Sequence, residues 1–178
     1  KNIIEECTKS KKPVIVATQI LDSMIKNPTP TRAEVNDVAN AVYDGVDAVM
    51  LSEETAAGDY PIESVSIMSD IINDVENSIQ VKIDNVEKVK NDNRIAIGHS
   101  VRLITQSMHI DGIVVMSESG STARIVSHFR PNVTIYGMSP HKYICNRMAL
   151  LWGVVPVQTK SFISTDDMIV NAEKLLLD

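Results

Sequence analysis

Short runs of apolar, β-branched residues recur along the chain, and none of them alternates apolar with polar positions. Continuous apolar runs predict strands that are covered on both faces, which is typical of a parallel sheet. The predicted strands lie at residues 13–17, 48–51, 112–116, 133–138 and 153–157.

Between these runs, the apolar positions follow the 3.6-residue period of helices with one apolar face. They fall at positions 35, 38, 39, 42 and 43, and again at 62, 65, 68, 71, 72, 75 and 79. A further helix is predicted at about residues 94–109. Strand followed by helix, repeated, indicates βα units with right-handed crossovers.

Two helix starts carry local signals. Thr31 and Glu34 have the spacing of a capping box, with a hydroxyl at the N-cap and a carboxylate three residues later. Pro61 is predicted in the first turn of the next helix, where its missing N–H donor costs nothing.

Residues 81–94 are charged and poor in apolar side chains, so we predict a domain boundary there, separating 1–80 from 81–178. Beyond it, the segments 111–117 (DGIVVMS) and 132–139 (NVTIYGMS) resemble each other, with their Met-Ser pairs 22 residues apart. We interpret them as one short βα unit that is repeated, as in an open doubly wound sheet.

Composition narrows the classes of protein. The 178 residues are 44% hydrophobic and 22% charged, which predicts one packed domain or two small ones. A net charge of -6 argues against a nucleic-acid surface, and no apolar run approaches the roughly 20 residues that span a bilayer. Cys7 and Cys145 lack zinc-site spacing and are expected to be buried thiols in a reducing cytosol. Because the sequence begins at Lys1, we expect it to be a piece of a longer protein.

Hydroxyl residues follow four of the predicted strands: Thr18, Ser52, Ser117 and Ser139. The simplest interpretation of each one alone is an N-cap for the helix that follows. The functional alternative is anion binding, because hydroxyls and free amides at a helix N-terminus bind phosphate.

Residues 117–122, the hydroxyl-rich loop, favour the functional alternative most. Ser117, Ser119, Ser121 and Thr122 lie between a strand and a helix, and Gly120 can adopt the positive φ that turns successive amides toward one centre. The loop is neither a Walker A motif nor a dinucleotide fingerprint. It predicts a phosphate site, with a plain capped loop as the alternative.

For the remaining acidic, histidine and aromatic residues we favour a structural role over a functional one. Glu53, Glu54 and Asp59 could form a metal site, but we favour a solvated turn and assign no metal ligand. None of the four histidines is assigned a catalytic role, and Tyr143 and Trp152 are expected in the core.

Three segments resemble pyruvate kinases. Residues 12–25 (KPVIVATQILDSMI) are similar to the seventh barrel strand and the helix after it, 30–42 (PTRAEVNDVANAV) to the next helix, and 47–61 (DAVMLSEETAAGDYP) to the eighth strand and its loop. Residues 95–157 match more loosely but in the right order. The resemblance implies an α/β fold: the last βα units of a (β/α)8 barrel, then the family's C-terminal, effector-type domain, an open parallel α/β domain that is incomplete at its end.

This resemblance implies a cytoplasmic glycolytic enzyme that transfers the phosphoryl group of phosphoenolpyruvate to ADP, giving pyruvate and ATP. Mg2+ and K+ are the implied cofactors, since phosphoryl transfer depends on positioning and on neutralising charge. A homo-oligomer, a tetramer in the family, and a sugar-phosphate effector are the implied partners.

The resemblance also implies roles for individual residues. Thr18 corresponds to an active-site threonine that contacts the substrate and is implicated in delivering a proton to the enolate. Ser52 and Glu54 correspond to residues that line the barrel mouth, and Arg32 lies on a segment of the subunit interface. The hydroxyl-rich loop, with Ser117, Ser119, Gly120, Ser121 and Thr122, falls where the family binds the effector phosphate.

Departures from the family limit these expectations. The catalytic lysine, the Mg2+ carboxylates, the K+ ligands and the lid domain lie upstream in the family and are absent here, so the chain alone is expected to be inactive. Ser121 stands where many relatives have Lys or Arg, which weakens the case for fructose 1,6-bisphosphate. The alternative is a free-standing phosphate-sensing module, but such a module has no need of the barrel-end residues at 11–63.

Overall fold

The computed structural model describes residues 2–17, 19–78, 93–161 and 164–177. The chain divides into two compact units, Lys1–Asn85 and Val86–Asp178. Most of the predicted boundary segment, 81–92, lies outside the described residues.

The first unit is built from two parallel strands and the helices around them. Its strands pair in parallel from Ile15↔Ala48 to Ala17↔Met50, as the apolar runs predicted. A 3₁₀ helix, Asp22–Ile25, follows the first strand. The other elements in chain order are α1 Asn2–Lys9, β1 Ile15–Ala17, α2 Arg32–Tyr43, β2 Ala48–Met50, α3 Glu53–Ala56 and α4 Pro61–Ser78.

Both predicted helix starts are confirmed. Thr31 is the N-cap of α2, and the reciprocal hydrogen bonds of a capping box join it to Glu34. Helix α4 begins at Pro61. Its predicted apolar face is only partly buried, because Ile62 is 79% exposed in this structure while Met68, two turns further on, is buried.

The core of the first unit contains the segment that follows β1. Leu21, Met24 and Val38 are fully buried, with Ile20 and Met68 packed beside them. The residues from Ile20 to Met24 therefore contribute to the core of the first unit.

The second unit is a three-stranded parallel sheet with helices between the strands, in the order β3-β4-β5. The register pairs Gly112 with Thr134 and Met116 with Met138, which is the 22-residue spacing of the sequence repeat. The repeated βα unit is thus confirmed. The elements in chain order are α5 Asn93–Ser107, β3 Gly112–Met116, α6 Ser121–His128, β4 Thr134–Ser139, α7 Lys142–Met148, β5 Val154–Gln158 and α8 Thr165–Leu177.

The core of the second unit lies between the sheet and helices α6 and α7. Its buried members include Ala123, Ile135, Cys145 and Met148. The expectation that Tyr143 is a core residue is wrong: its side chain is 62% exposed on α7. Among the helices of the described ranges, none has the length and apolar character required to cross a membrane.

Candidate functional site

The carboxyl ends of β1 and β2 lie side by side, because the two strands are parallel and in register. Thr18, the predicted catalytic residue, comes directly after β1 and lies outside the described residues. The next residue, Gln19, has a φ of 51°. A non-glycine residue in this left-handed region carries strain of about 1–2 kcal/mol, and such strain gathers at functional sites.

Ser52 lies at the end of the neighbouring strand, partly buried. It is the N-cap residue of α3, but its side chain makes no capping hydrogen bond. Its backbone amide donates to Glu54 Oε2 at 2.7 Å. The hydroxyl of Ser52 is therefore not used to cap the helix.

Glu54 is buried, with only 2% of its surface exposed. Its Oε1 accepts a hydrogen bond from the amide of Leu21 at 3.2 Å, and its Oε2 accepts the one from Ser52. The expected solvated turn is therefore wrong for Glu54. A carboxylate is tolerated in such a place when backbone N–H groups take over the role of water.

The acidic residues of this region do not gather around a common point. Asp59 forms an exposed ion pair with Lys26 at 3.3 Å, while both oxygens of Glu54 accept amide hydrogen bonds. Within the described ranges, no cluster of three or more His, Cys, Asp or Glu side chains could hold a metal ion.

Glu34 holds the 3₁₀ helix after β1 against the start of α2. Its carboxylate accepts hydrogen bonds from the amide of Ser23 at 2.7 Å and from the Ser23 hydroxyl at 2.6 Å. The amide and hydroxyl of Thr31 donate to it as well, each at 2.7 Å. Burial raises the pKa of Glu34, but the hydrogen bonds from Ser23 and Thr31 outweigh it and lower the pKa to about 2.

Arg32, predicted at a subunit interface, is the first residue of α2. It is exposed to solvent, next to the Thr31 cap. The capping box thus fixes the backbone from which this side chain projects.

The hydroxyl-rich loop connects β3 to α6 in the second unit. Ser117 is buried and its amide donates to the carbonyl of Met138 at 2.9 Å, which extends the pairing of β3 with β4. Gly120 is the N-cap residue of α6 and has a φ of 76°, the positive φ that its sequence position allowed. Ser119 Oγ lies 3.0 Å from Ser121 Oγ, and Ser119 and Thr122 are exposed.

The N-cap interpretation is wrong for two of the strand-end hydroxyls. The N-cap of α6 is Gly120 rather than Ser117, and the N-cap of α7 is His141 rather than Ser139. The hydroxyl of Ser139 accepts a hydrogen bond from the amide of His141 at 3.3 Å. Residues 117–120 therefore separate β3 from α6, and residues 140–141 separate β4 from α7.

Two features of this sheet edge were missed in the sequence. His141 Nε2 lies 2.9 Å from Glu118 Oε2, which joins the hydroxyl-rich loop to the start of α7. Thr159 follows β5, its amide donates to the carbonyl of Ser139 at 3.0 Å, and its buried Oγ1 has no hydrogen-bond partner in the described part of the chain. Both residues could have been found from their position in the sequence, because each follows shortly after a predicted parallel strand.

Comparison with known proteins finds matches in both units of the chain. Residues 1–65 match the family model of the pyruvate kinase barrel domain, and residues 95–178 match that of the pyruvate kinase alpha/beta domain. The chain belongs to the pyruvate kinase family. The predicted resemblance and the predicted fold class, a barrel end followed by an open parallel α/β domain, are both confirmed.

Individual pyruvate kinases are similar over nearly the whole chain. Those of Staphylococcus haemolyticus and Staphylococcus saprophyticus are 46% and 45% identical over 175 residues, which is 97% of this chain. The crystal structure of a pyruvate kinase from Cryptosporidium parvum is 34% identical, covers 98% of this chain and gives a TM-score of 0.88. The chain spans 30% of the length of these two staphylococcal relatives and 36% of the Cryptosporidium chain.

Proposed function

We propose that residues 1–80 are the last βα units of a pyruvate kinase barrel and that residues 81–178 are most of its effector domain. The longer enzyme transfers the phosphoryl group of phosphoenolpyruvate to ADP, giving pyruvate and ATP. One observation supports this proposal: residues 1–65 match the family's barrel model, and within them the parallel strands β1 and β2 end side by side. Barrel enzymes hold their active sites at this end of the strands.

The proposed roles rest on the resemblance of these residues to the family's active-site and interface segments. Thr18 contacts the substrate and delivers a proton to the enolate left when the phosphoryl group departs. Ser52 lines the same mouth, where its hydroxyl makes no capping hydrogen bond. Glu54 lines it as well, and its carboxylate accepts hydrogen bonds from two backbone amides. Arg32 contributes to the subunit interface of a homo-oligomer, which its exposure permits.

Mg2+ and K+ would serve the longer enzyme by neutralising the charge of the transferring phosphoryl group. The carboxylates described at this mouth do not fit a metal site, because Glu54 is bound to amides and Asp59 to Lys26. We therefore assign no metal ligand among the residues that the structure describes.

For the second unit we propose that the hydroxyl-rich loop binds the phosphate of a sugar-phosphate effector. Ser117, Ser119, Gly120, Ser121 and Thr122 would provide hydroxyls and amides. The left-handed Gly120 and the start of α6 support this role, since free amides at a helix N-terminus attract anions. The same loop would serve a free-standing phosphate sensor, but the barrel match over residues 1–65 favours the enzyme.

A hybrid enzyme tests the catalytic proposal. The matching region of the Staphylococcus haemolyticus pyruvate kinase is replaced by this chain, and the formation of pyruvate from phosphoenolpyruvate and ADP is measured. We expect an active hybrid, and no turnover by the 178-residue chain alone. Thr18→Ala should lower kcat by about 10²–10⁴-fold, the usual contribution of a proton donor.

Thr29→Ala is the matched control, because Thr29 is an exposed threonine before α2 that has no proposed role. It should leave kcat unchanged. A folded hybrid without activity would contradict the proposed function, and an unaltered kcat in Thr18→Ala would contradict the role of Thr18.

A further inference from the structure

The segment after β1 has little regular structure to hold its shape. It begins with the strained Gln19 and contains only the 3₁₀ helix Asp22–Ile25. Its buried side chains, Ile20, Leu21 and Met24, pack in the core of the first unit. Side chains in a core do not by themselves set the backbone amides, which need their own hydrogen-bond partners.

The amide of Leu21 donates its hydrogen bond to a residue that lies beyond the end of the other strand, β2. Glu54 stands 33 residues further along the chain, in α3 after β2, and accepts this amide through Oε1. Through Oε2 it accepts the amide of Ser52. A single buried carboxylate therefore joins the two strand ends that form the proposed barrel mouth.

Two further contacts complete the attachment of this segment at alternate residues. Glu34 accepts the amide of Ser23, and the carbonyl of Ile25 accepts a hydrogen bond from the amide of Asp59 at 2.9 Å. Of the three anchors, only Glu54 is buried and reaches the other strand end. Its contact at Leu21 is also the nearest of the three to Thr18 along the sequence.

We propose that Glu54 is a positioning residue: it sets the backbone from Gln19 to Leu21, which follows the proposed catalytic residue in the sequence, relative to Ser52. The catalytic part of this inference rests on the proposed function. Both the charge and the length of the Glu54 side chain matter for holding the two amides. A carboxylate offers two acceptor oxygens, whereas glutamine would present an N–H₂ donor to one of the two amides. Charge-assisted bonds to backbone amides are also stronger than neutral ones.

The first measurement uses the 178-residue chain with ¹⁵N labelling and compares Glu54→Gln with the unaltered protein. We expect upfield shifts of the Leu21 and Ser52 amides, at least about tenfold faster hydrogen exchange at one of them, and altered resonances of Thr18 and Gln19. Glu53→Gln is the control, because Glu53 is exposed beside Glu54 in the same short helix. It should leave these signals in place.

The second measurement concerns the reaction, in the hybrid enzyme. Glu54→Gln should lower kcat by about 10–100-fold with little change in the KM for phosphoenolpyruvate, because small displacements of a reacting group cost rate rather than ground-state binding. Glu54→Asp, which keeps the charge, should restore part of the loss.

The outcomes separate the two proposals. Unchanged Leu21 and Ser52 amides in Glu54→Gln would overturn the positioning role. Changes spread through the core of the first unit, with kcat and thermal midpoint falling together, would overturn it as well, because they indicate general destabilisation. An inactive hybrid with the expected amide shifts would reject the proposed function and its catalytic consequence while the structural link between the strand ends stands.

Discussion

At the scale of single residues, Glu34 shows how hydrogen bonds lower the pKa of a carboxyl group. Four donors on Ser23 and Thr31 surround its carboxylate. Because these bonds favour the charged form, the pKa of Glu34 falls from 4.5 to about 2 in the folded protein. A carboxyl whose pKa is depressed on folding stabilises the fold above its unfolded pKa, and this stabilisation is lost as the pH falls through the folded value.

We therefore predict a specific pH window for the contribution of Glu34. The free energy of unfolding of the unaltered chain and of Glu34→Gln should differ most above pH 4.5. This difference should shrink by on the order of 2 kcal/mol as the pH falls toward 2. Denaturant unfolding at several pH values measures it, with the exposed Glu63→Gln of α4 as control. A difference that stays constant across this window would contradict the assignment.

Glu34 and Glu54 show which single residues could be predicted from the sequence. The role of Glu34 in capping was predictable, because Thr31 and Glu34 are three residues apart and the capping box is a local pattern. The burial of Glu54 was not, since its partner Leu21 is 33 residues away. Nothing in the local sequence distinguishes Glu54 from the exposed Glu53 beside it.

At the scale of elements, the strands of the second unit were predictable in place and in pairing. The 22-residue repeat gave the register of β3 with β4, because each copy of a repeated βα unit meets its neighbour at the same position. The periodicity of apolar positions predicted neither the 3₁₀ helix Asp22–Ile25 nor the four-residue α3. Elements of one turn are too short to show a period.

The packing of α5 on α6 could not be predicted either, and Gly98 illustrates the reason. A Cβ at Gly98 would lie 2.6 Å from Cδ2 and 2.8 Å from Cε2 of Phe129, and 3.0 Å from Cγ2 of Ile125. The ring of Phe129 also meets His99 and His128 edge-on, with ring centroids 5.8 and 5.2 Å away. Neighbours on several sides restrict the movement of this ring.

We predict that Gly98→Ala lowers the free energy of unfolding by about 1 kcal/mol. Helix propensity alone favours alanine by about 1 kcal/mol, but forcing a methyl group into a filled contact costs about 1–3 kcal/mol. Denaturant unfolding measures the net effect. Ser100→Ala, at an exposed position of the same helix, should stay within about 0.5 kcal/mol of the unaltered chain. A stabilised Gly98→Ala would show that α5 and α6 pack less tightly than described.

At the scale of the whole molecule, the two units carry different parts of the proposed function. The first contains the strand ends assigned to catalysis, and the second contains the hydroxyl-rich loop assigned to effector binding. The hydroxyls of Ser119 and Thr122 are exposed, and Gly120 is left-handed, so the loop is accessible to a phosphate group. A ligand titration of the whole chain tests the proposed effector site.

We predict that a sugar phosphate raises the thermal midpoint of the 178-residue chain, and that Ser119→Ala combined with Thr122→Ala abolishes the rise. A ligand at 100 times its Kd stabilises the native state by about 2.7 kcal/mol, a shift of several degrees. Inorganic phosphate and AMP are titrated in parallel to separate recognition of the phosphate from recognition of the sugar.

Ser100→Ala combined with Ser107→Ala is the control variant. It removes two exposed hydroxyls from α5 and should leave the shift intact. A shift that survives in the loop variant would place the ligand elsewhere. If none of the ligands shifts the thermal midpoint, the proposed effector site is rejected and the loop serves only to connect β3 to α6. The proposal for the barrel residues would not be affected.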